Sequence, residues 1–273
     1  MKIAISNIAW TESEDDDCLN ILAEQGITGL EIAPRKLFPR LGQTDPEEIA
    51  RYREKLAARS LQLIAMQGLL FGQPELTLFA DKNRRQQTAR YLKEMIDFGQ
   101  RLGAKILVFG SPGNRRLGDL SLRQAQDIAR DFFRDIGDYA AAHALSFCIE
   151  PNARVYQCDF IQTVPEALEL IAEVDSPGFG LHVDAAVMAL SGEDVAATIQ
   201  LAAGQIRHFH ISEPFLGLIT QNQTGHERFA QALSQIGYDQ WLSIEMKSGV
   251  LPSNIAAVQN SLAFVKACYG DRC

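Results

Sequence analysis

Glu150, Asp184, His210 and Glu245 close four short apolar stretches, in "FCIEPN", "LHVDAA", "HFHISE" and "LSIEMK". The gaps between them are 34, 26 and 35 residues, each about one strand plus one helix. Three carboxylates and an imidazole form a hard, mostly oxygen donor set. It suits one divalent ion, Mn2+, Co2+ or Mg2+, better than Zn2+ or a thiolate metal. An isolated acid in such a place equally well caps or salt-bridges its own loop. Four at equivalent strand ends point to a shared ion.

The same stretches carry a deeper layer. Residues i and i+2 of a strand share a face, about 6.7 Å apart along it. His208 therefore lies behind His210, and His182 behind Asp184. The member nearer the strand's C-terminal end reaches an ion. His182 and His208 either orient a ligand or a substrate oxygen or are satisfied core imidazoles.

The elements that would position these groups repeat along the chain. Strand-like runs occupy 2–8, 29–33, 62–68, 105–110, 146–151, 179–185, 206–212 and 241–247. Between them, apolar residues recur at helical spacing in 47–59, 86–102 and 122–143. Gly26, Gly103 and Gly237 sit near helix ends, and Pro46, Pro165 and Pro252 near starts. Eight strands alternating with eight helices in 273 residues predict a single-domain α/β (β/α)8 TIM barrel over 1–273, with a doubly wound sheet as the alternative. In a barrel the chemistry gathers at the C-terminal strand ends and the loops after them, which is where the four candidate ligands fall.

Other residues near that face have two readings each. Glu31 ends strand two in "GLEIAP" and hydrogen-bonds either a neighbouring strand or a substrate hydroxyl. Gln67, ending strand three, orients a ligand or is a buried amide satisfied by backbone. Arg115 and Arg116 in "GSPGNRRLG" have the fork that grips phosphate or carboxylate, or they are solvated loop cations. His226 flanks the mouth or lies on the surface. Trp10, Phe71 and Phe215 follow strands one, three and seven and either wall a sugar pocket or pack elsewhere.

Bulk composition excludes several classes. A net charge of −8 disfavours a nucleic-acid surface, which needs a basic footprint. No apolar run reaches membrane-spanning length, and "MKIAISNIAW" is too short and too polar for a signal peptide, so the expected compartment is the cytoplasm. Cys18, Cys148, Cys158, Cys268 and Cys273 are widely spaced, as expected of ordinary thiols rather than a disulfide framework or zinc ribbon. The 47% apolar content is ample for a core.

"GLEIAP", "FCIEPN", "GLHVDAA", "HFHISE" and "GYDQWLSIEM", in this order, resemble the xylose isomerase-like TIM-barrel superfamily. The likeness spans essentially the whole chain. It is greatest to the sugar isomerase/epimerase branch, with D-tagatose 3-epimerase-like and hydroxypyruvate isomerase-like enzymes. The resemblance implies that Glu150, Asp184, His210 and Glu245 hold one divalent metal and that Glu150 and Glu245 are the acid/base pair. A metal on adjacent carbonyl and hydroxyl oxygens stabilises an enediolate. One glutamate then removes the proton α to the carbonyl and the other returns one from the opposite face. Two positions depart from the branch. Val187 stands where a substrate-touching His is typical, and "ISEPFLGL" lacks the Arg that usually follows the strand-seven His. Glu213 is the candidate to supply polar contact instead. The histidines that the nuclease branch adds on strands three and four are unmatched, and the acidic charge agrees with that.

The resemblance thus implies a metal-dependent isomerase or epimerase of a small carbohydrate. A dehydratase of a cyclic polyol ketone and a non-catalytic sugar- or metal-binding barrel are the alternatives. Oligomeric state stays open, many relatives in the branch being homo-oligomers (dimers or tetramers), while the net charge and the lack of a spanning apolar run argue against nucleic acid and membrane as partners.

Overall fold

The computed structural model describes residues 1–40 and 44–270. The eight expected strands are all present: β1 (Lys2–Ser6), β2 (Gly29–Ile32), β3 (Gln62–Met66), β4 (Ile106–Phe109), β5 (Ser146–Ile149), β6 (Phe179–Asp184), β7 (Ile206–Ser212) and β8 (Trp241–Glu245). They are parallel, stand in sequence order and close into a barrel. The seam runs between β1 and β8, from Lys2↔Trp241 to Ile5↔Ile244. Apolar runs without alternation suit strands covered by side chains within and helices outside. All but β7 end earlier than the apolar runs suggest, because the last residues leave the ladder to form the mouth. Glu150 is one of them, the first residue beyond β5.

Among the described residues there are ten α-helices rather than eight: α1 (Asp15–Glu24), α2 (Pro34–Leu37), α3 (Pro46–Ala57), α4 (Lys82–Leu102), α5 (Leu122–Ala142), α6 (Val164–Val174), α7 (Ala185–Leu190), α8 (Val195–Leu201), α9 (His226–Gln235) and α10 (Asn254–Val265). The two extra helices arise because the connections after β2 and β6 each hold a short helix before the main one. The predicted stripes are α3, α4 and α5. The second starts earlier than its stripe because Asp81 Oδ1 accepts the Arg84 N–H at 2.9 Å and caps a polar first turn. Gly103, at φ 93°, ends it in the left-handed region that glycine tolerates.

Two register shifts matter for the site. In β3, Ile64 is an extra residue between the rungs Leu30↔Leu63 and Glu31↔Ala65. In β7, Arg207 is extra between Leu181↔Ile206 and His182↔His208. A one-residue slip exchanges the two faces of a strand. The second bulge thereby sets His208 beside His182 and His210 beside Asp184.

Cys18, Cys148 and Cys158 are buried free thiols, and burial pushes Cys148 up to about 12, which makes it unreactive. Cys273 lies outside the described residues. No helix among the described residues is long and apolar enough to cross a membrane.

Candidate metal centre

At the barrel mouth, Glu150, Asp184, His210 and Glu245 each offer a ligand atom, and these atoms all lie within 4.8 Å of one another. Adjacent strands supply them in order: β6 pairs Asp184 with His210, and β7 pairs Ser212 with Glu245. His210 Nδ1 is 3.3 Å from Glu245 Oε2 and 3.9 Å from Asp184 Oδ2. That nitrogen is buried and has no hydrogen bond. Asp184 has a second task, since its Oδ1 accepts the Val187 N–H at 2.7 Å and caps α7. The other oxygen is left for the centre.

The far side of the His210 ring is fixed by Glu31. His210 Nε2–H donates to the two Glu31 oxygens at 3.0 and 3.1 Å, and both side chains are buried. This contact selects the tautomer that presents Nδ1 to the carboxylates. Burial works against charge on both partners, yet they reverse it for each other. His210 and His208 hold Glu31 well below the usual carboxylate range, while Glu31 and Glu245 hold His210 well above the usual histidine range. Of the two readings of Glu31, a hydrogen bond to another strand is the one observed. Its link to the centre was not visible, because β2 and β7 are far apart in the chain.

The remaining carboxylates are short of positive charge. Burial first, then Glu245 and Asp184, pushes Glu150 up to about 8. Burial and Glu245 push Asp184 up to about 6. Buried like charges this close raise one another's pKa, and a cation among them would relieve the repulsion. Three carboxylate arms and one unpartnered imidazole nitrogen therefore fit a divalent ion of oxygen preference.

His182 and His208 lie one layer deeper and are fully buried. His182 Nε2 is 3.7 Å from Glu150 Oε1, and His208 Nε2 is 3.5 Å from Glu31 Oε1. Neither lines the cavity above: His182 faces the candidate ligand Glu150, and His208 faces Glu31, the residue that orients His210. Burial keeps both imidazoles below the usual range, the neighbouring His210 and His208 adding to it for His182.

The mouth opens into a cavity of about 300 Å3, walled in part by Gln67, Glu150, Asn152, Tyr156, Asp184, Val187, Glu213, Phe215 and Glu245. This is the small end of the range for ligand pockets. Gln67 Nε2–H donates to Ser6 Oγ at 2.9 Å. Glu213 is buried, with its oxygens accepting the Gln223 and Thr224 N–H groups and one of them 3.1 Å from His226 Nε2. It lines the cavity, but its lone pairs are engaged from behind.

Three expected substrate contacts need correction. Arg115 is fully buried and turned away from the cavity. Its Nη2 donates to Glu150 O at 2.7 Å and to Ile161 O at 3.4 Å, so it braces the chain that carries Glu150. Trp10 is in the core, with Nε1–H donating to Asp15 Oδ1 at 3.1 Å. Phe71 is 78% exposed and does not line the cavity. His226 is neither on the surface nor in the cavity wall but buried between Glu213 and Tyr269, whose hydroxyl is 3.0 Å from Nδ1. Tyr156 is a cavity residue that sequence reasoning missed. It follows β5 within an irregular loop whose path no periodicity reveals.

This barrel, with three acids and a histidine at the ends of its last four strands, agrees with the sequence comparison. The chain belongs to the xylose isomerase-like TIM barrel family, whose model matches residues 19–268. It is similar to a probable ketose 3-epimerase of Synechocystis sp., 26% identical over 262 residues, covering 89% of this chain and 87% of that protein. It is also similar to an inosose dehydratase of Geobacillus thermodenitrificans, 22% identical over 252 residues, covering 85% and 78%. Its fold matches a crystal structure of D-psicose 3-epimerase in the presence of D-fructose, with a TM-score of 0.82 at 16% identity over 99% of this chain and 100% of that one.

Proposed function

We propose that the chain is a divalent-metal-dependent sugar epimerase, an enzyme of the isomerase class, acting at the carbon next to a ketone. The observation that carries this reading is the gathering of four ligand atoms within 4.8 Å, with Glu150 and Glu245 both on the cavity wall. The likeness to a probable ketose 3-epimerase supports the substrate class.

Asp184 and His210 hold the ion together with the two glutamates. Bound there, a Mn2+, Co2+ or Mg2+ ion supplies Lewis-acid charge to a ketone oxygen and its neighbouring hydroxyl. The chain's own residues do the rest. One of Glu150 and Glu245 takes the proton from the carbon α to the carbonyl. The other gives a proton to the opposite face, which inverts that carbon. Positioned acid/base groups of this kind contribute about 10²–10⁴-fold. Glu31 keeps His210 Nδ1 directed at the carboxylates, and Arg115 holds the Glu150 main chain. The working partner is then a small carbohydrate rather than nucleic acid, in keeping with the net charge of −8, and the expected compartment is the cytoplasm.

The test is exchange of solvent deuterium into ketoses by Mn2+-loaded protein in D2O. Wild type is expected to exchange the α proton and form the epimer. Glu150→Gln and Glu245→Gln should each lose about 10²–10⁴-fold, and full turnover in either variant would overturn the reading. A second reading, dehydration, is favoured by the likeness to an inosose dehydratase. It shares the first proton transfer and is recognised by a product lighter by one water.

A further inference from the structure

The barrel has a second cavity, on the face opposite the metal centre. It holds about 390 Å3, more than the mouth, and opens among the residues that begin β3, β4, β7 and β8. Three cations line it: Arg53 of α3, Lys105 just before β4, and Arg207 of β7. All three are exposed. Among the described residues no acid lines this cavity, although the chain carries a net charge of −8. A cleft whose walls bear one sign of charge concentrates ions of the other.

The cations are not spent on one another's neighbours. Arg53 gives one N–H to Arg101 O at 3.4 Å, which leaves most of its donors free. Among the described residues, Lys105 and Arg207 have no side-chain hydrogen bond or ion pair. Asp239, next to the lining residue Gln240, is engaged by that residue's own amide.

The strands make room for this arrangement. An added Cβ at Gly180 would lie 2.6 Å from Arg207 Cγ, and one at Gly29 would lie 2.5 Å from Trp241 Cζ3. Any larger residue at either place would push the arginine stem or the indole aside. Arg207 is also the extra residue of the β7 bulge, which the ladder with β6 passes over. Bulges re-aim side chains in this way. Lys2 Nζ is 5.6 Å from the centroid of the Trp241 ring, a contact that steadies the indole and adds positive charge at the rim. Between the cations the floor is apolar, formed by Leu63, Ile64 and Ile106 beside Trp241. A cationic rim over an apolar, aromatic floor fits an anion with an organic body better than a bare ion.

We propose that this cavity binds an organic phosphate of about mononucleotide size. Its phosphate lies against Arg53, Lys105 and Arg207, whose guanidinium forks match phosphate oxygens. Its flat body packs on Trp241 and the apolar floor. The volume is within the range of small-molecule sites. None of these residues belongs to the metal centre, so the ligand is not the reacting sugar, and the inference is independent of the epimerase reading.

The experiment titrates Mn2+-loaded protein with adenosine monophosphate, inorganic phosphate and adenosine, following tryptophan fluorescence and the heat of binding. Adenosine monophosphate is expected to bind once per chain, more tightly than inorganic phosphate and far more tightly than adenosine. Its affinity should fall as salt is added. Arg207→Gln and Lys105→Gln should each weaken it about twofold to fivefold, and Trp241→Phe should remove the fluorescence change. Asp184→Asn should leave the affinity unaltered, which separates this cavity from phosphate held by the ion at the mouth. Circular dichroism checks the fold of each variant, and Lys105→Gln, at an exposed side chain before a strand, carries the test should Arg207→Gln unfold. No binding of adenosine monophosphate, affinity equal to that of inorganic phosphate, affinity indifferent to Lys105→Gln in folded protein, or affinity lost in Asp184→Asn would overturn the inference.

Discussion

At the scale of single residues, charge balance governs what the centre can hold. Without an ion, Glu150 is pushed up to about 8 and Asp184 to about 6 by burial and by acidic neighbours. A raised carboxylate pKa means that the folded chain binds a proton more readily than the unfolded one. The sign follows: Glu150 favours the metal-free fold below its ordinary range and loses that contribution as pH rises through about 8. Ion binding must displace the same proton, so it has the opposite dependence. Apparent Mn2+ affinity should weaken steadily as pH falls from 8 to 6, because the protons on Glu150 and on His210 must both leave, and further below 6 as Asp184 takes up a proton. Calorimetric titration in buffers of different ionisation enthalpy would report the protons released, and an affinity flat across this interval would contradict the charge balance. The four strand-end residues were legible because each ends an apolar run at a regular interval. Arg115 was misread because a guanidinium in a Gly/Pro loop looks solvated, and only folding brings the carbonyls of Glu150 and Ile161 around it. His226 was misread for a like reason, since its partners Glu213 and Tyr269 come from distant segments.

At the scale of elements, the site depends on how strands end and where they slip. β6 ends on Asp184, which both offers an oxygen to the centre and caps α7. The bulge at Arg207 brings His208 and His210 into step with β6. Neither bulge is visible in hydrophobic alternation, because the barrel strands are apolar on both faces. Gly110, just after β4, gives a direct test. A Cβ there would collide with Glu150 Oε2, the far end of a side chain rather than backbone. Gly110→Ala should therefore keep the fold and melting temperature close to wild type while displacing Glu150. Its exchange rate should fall by about 10²-fold or more, within the span of lost acid/base catalysis. Circular dichroism with the deuterium assay would check both halves. A variant as active as wild type would show that Glu150 does not need its present place.

At the scale of the whole molecule, barrel closure converts eight weak local patterns into one site. The order of strands and the alternation with helices were readable because each unit repeats the same apolar signature. The pairing of β8 with β1 follows once a barrel is chosen over a doubly wound sheet, and the closed ladder makes that choice. The outer layer is packed as tightly as the inner one at Gly178, which enters β6 against α5. A Cβ there would collide with Gly137 O and lie 2.6 Å from Ala141 N, both backbone atoms that cannot move aside alone. Gly178→Ala should lower stability by about 1–3 kcal/mol, roughly 2–10 °C in melting temperature, without altering the metal preference of protein that remains folded. Calorimetric melting checks this, and an unchanged Tm would show the interface to be looser than its geometry.

The most direct measurement of the central claim is metal content by elemental analysis, comparing wild type with Asp184→Asn after both are exposed to Mn2+ and desalted. Asparagine keeps an oxygen for the Val187 N–H and so preserves the cap of α7 while removing a ligand charge. One ion per wild-type chain and a clear loss in the variant are expected, with both proteins equally folded. Equal metal in the two, or none in wild type after Mn2+ and Co2+ are offered, would contradict a centre built from Glu150, Asp184, His210 and Glu245.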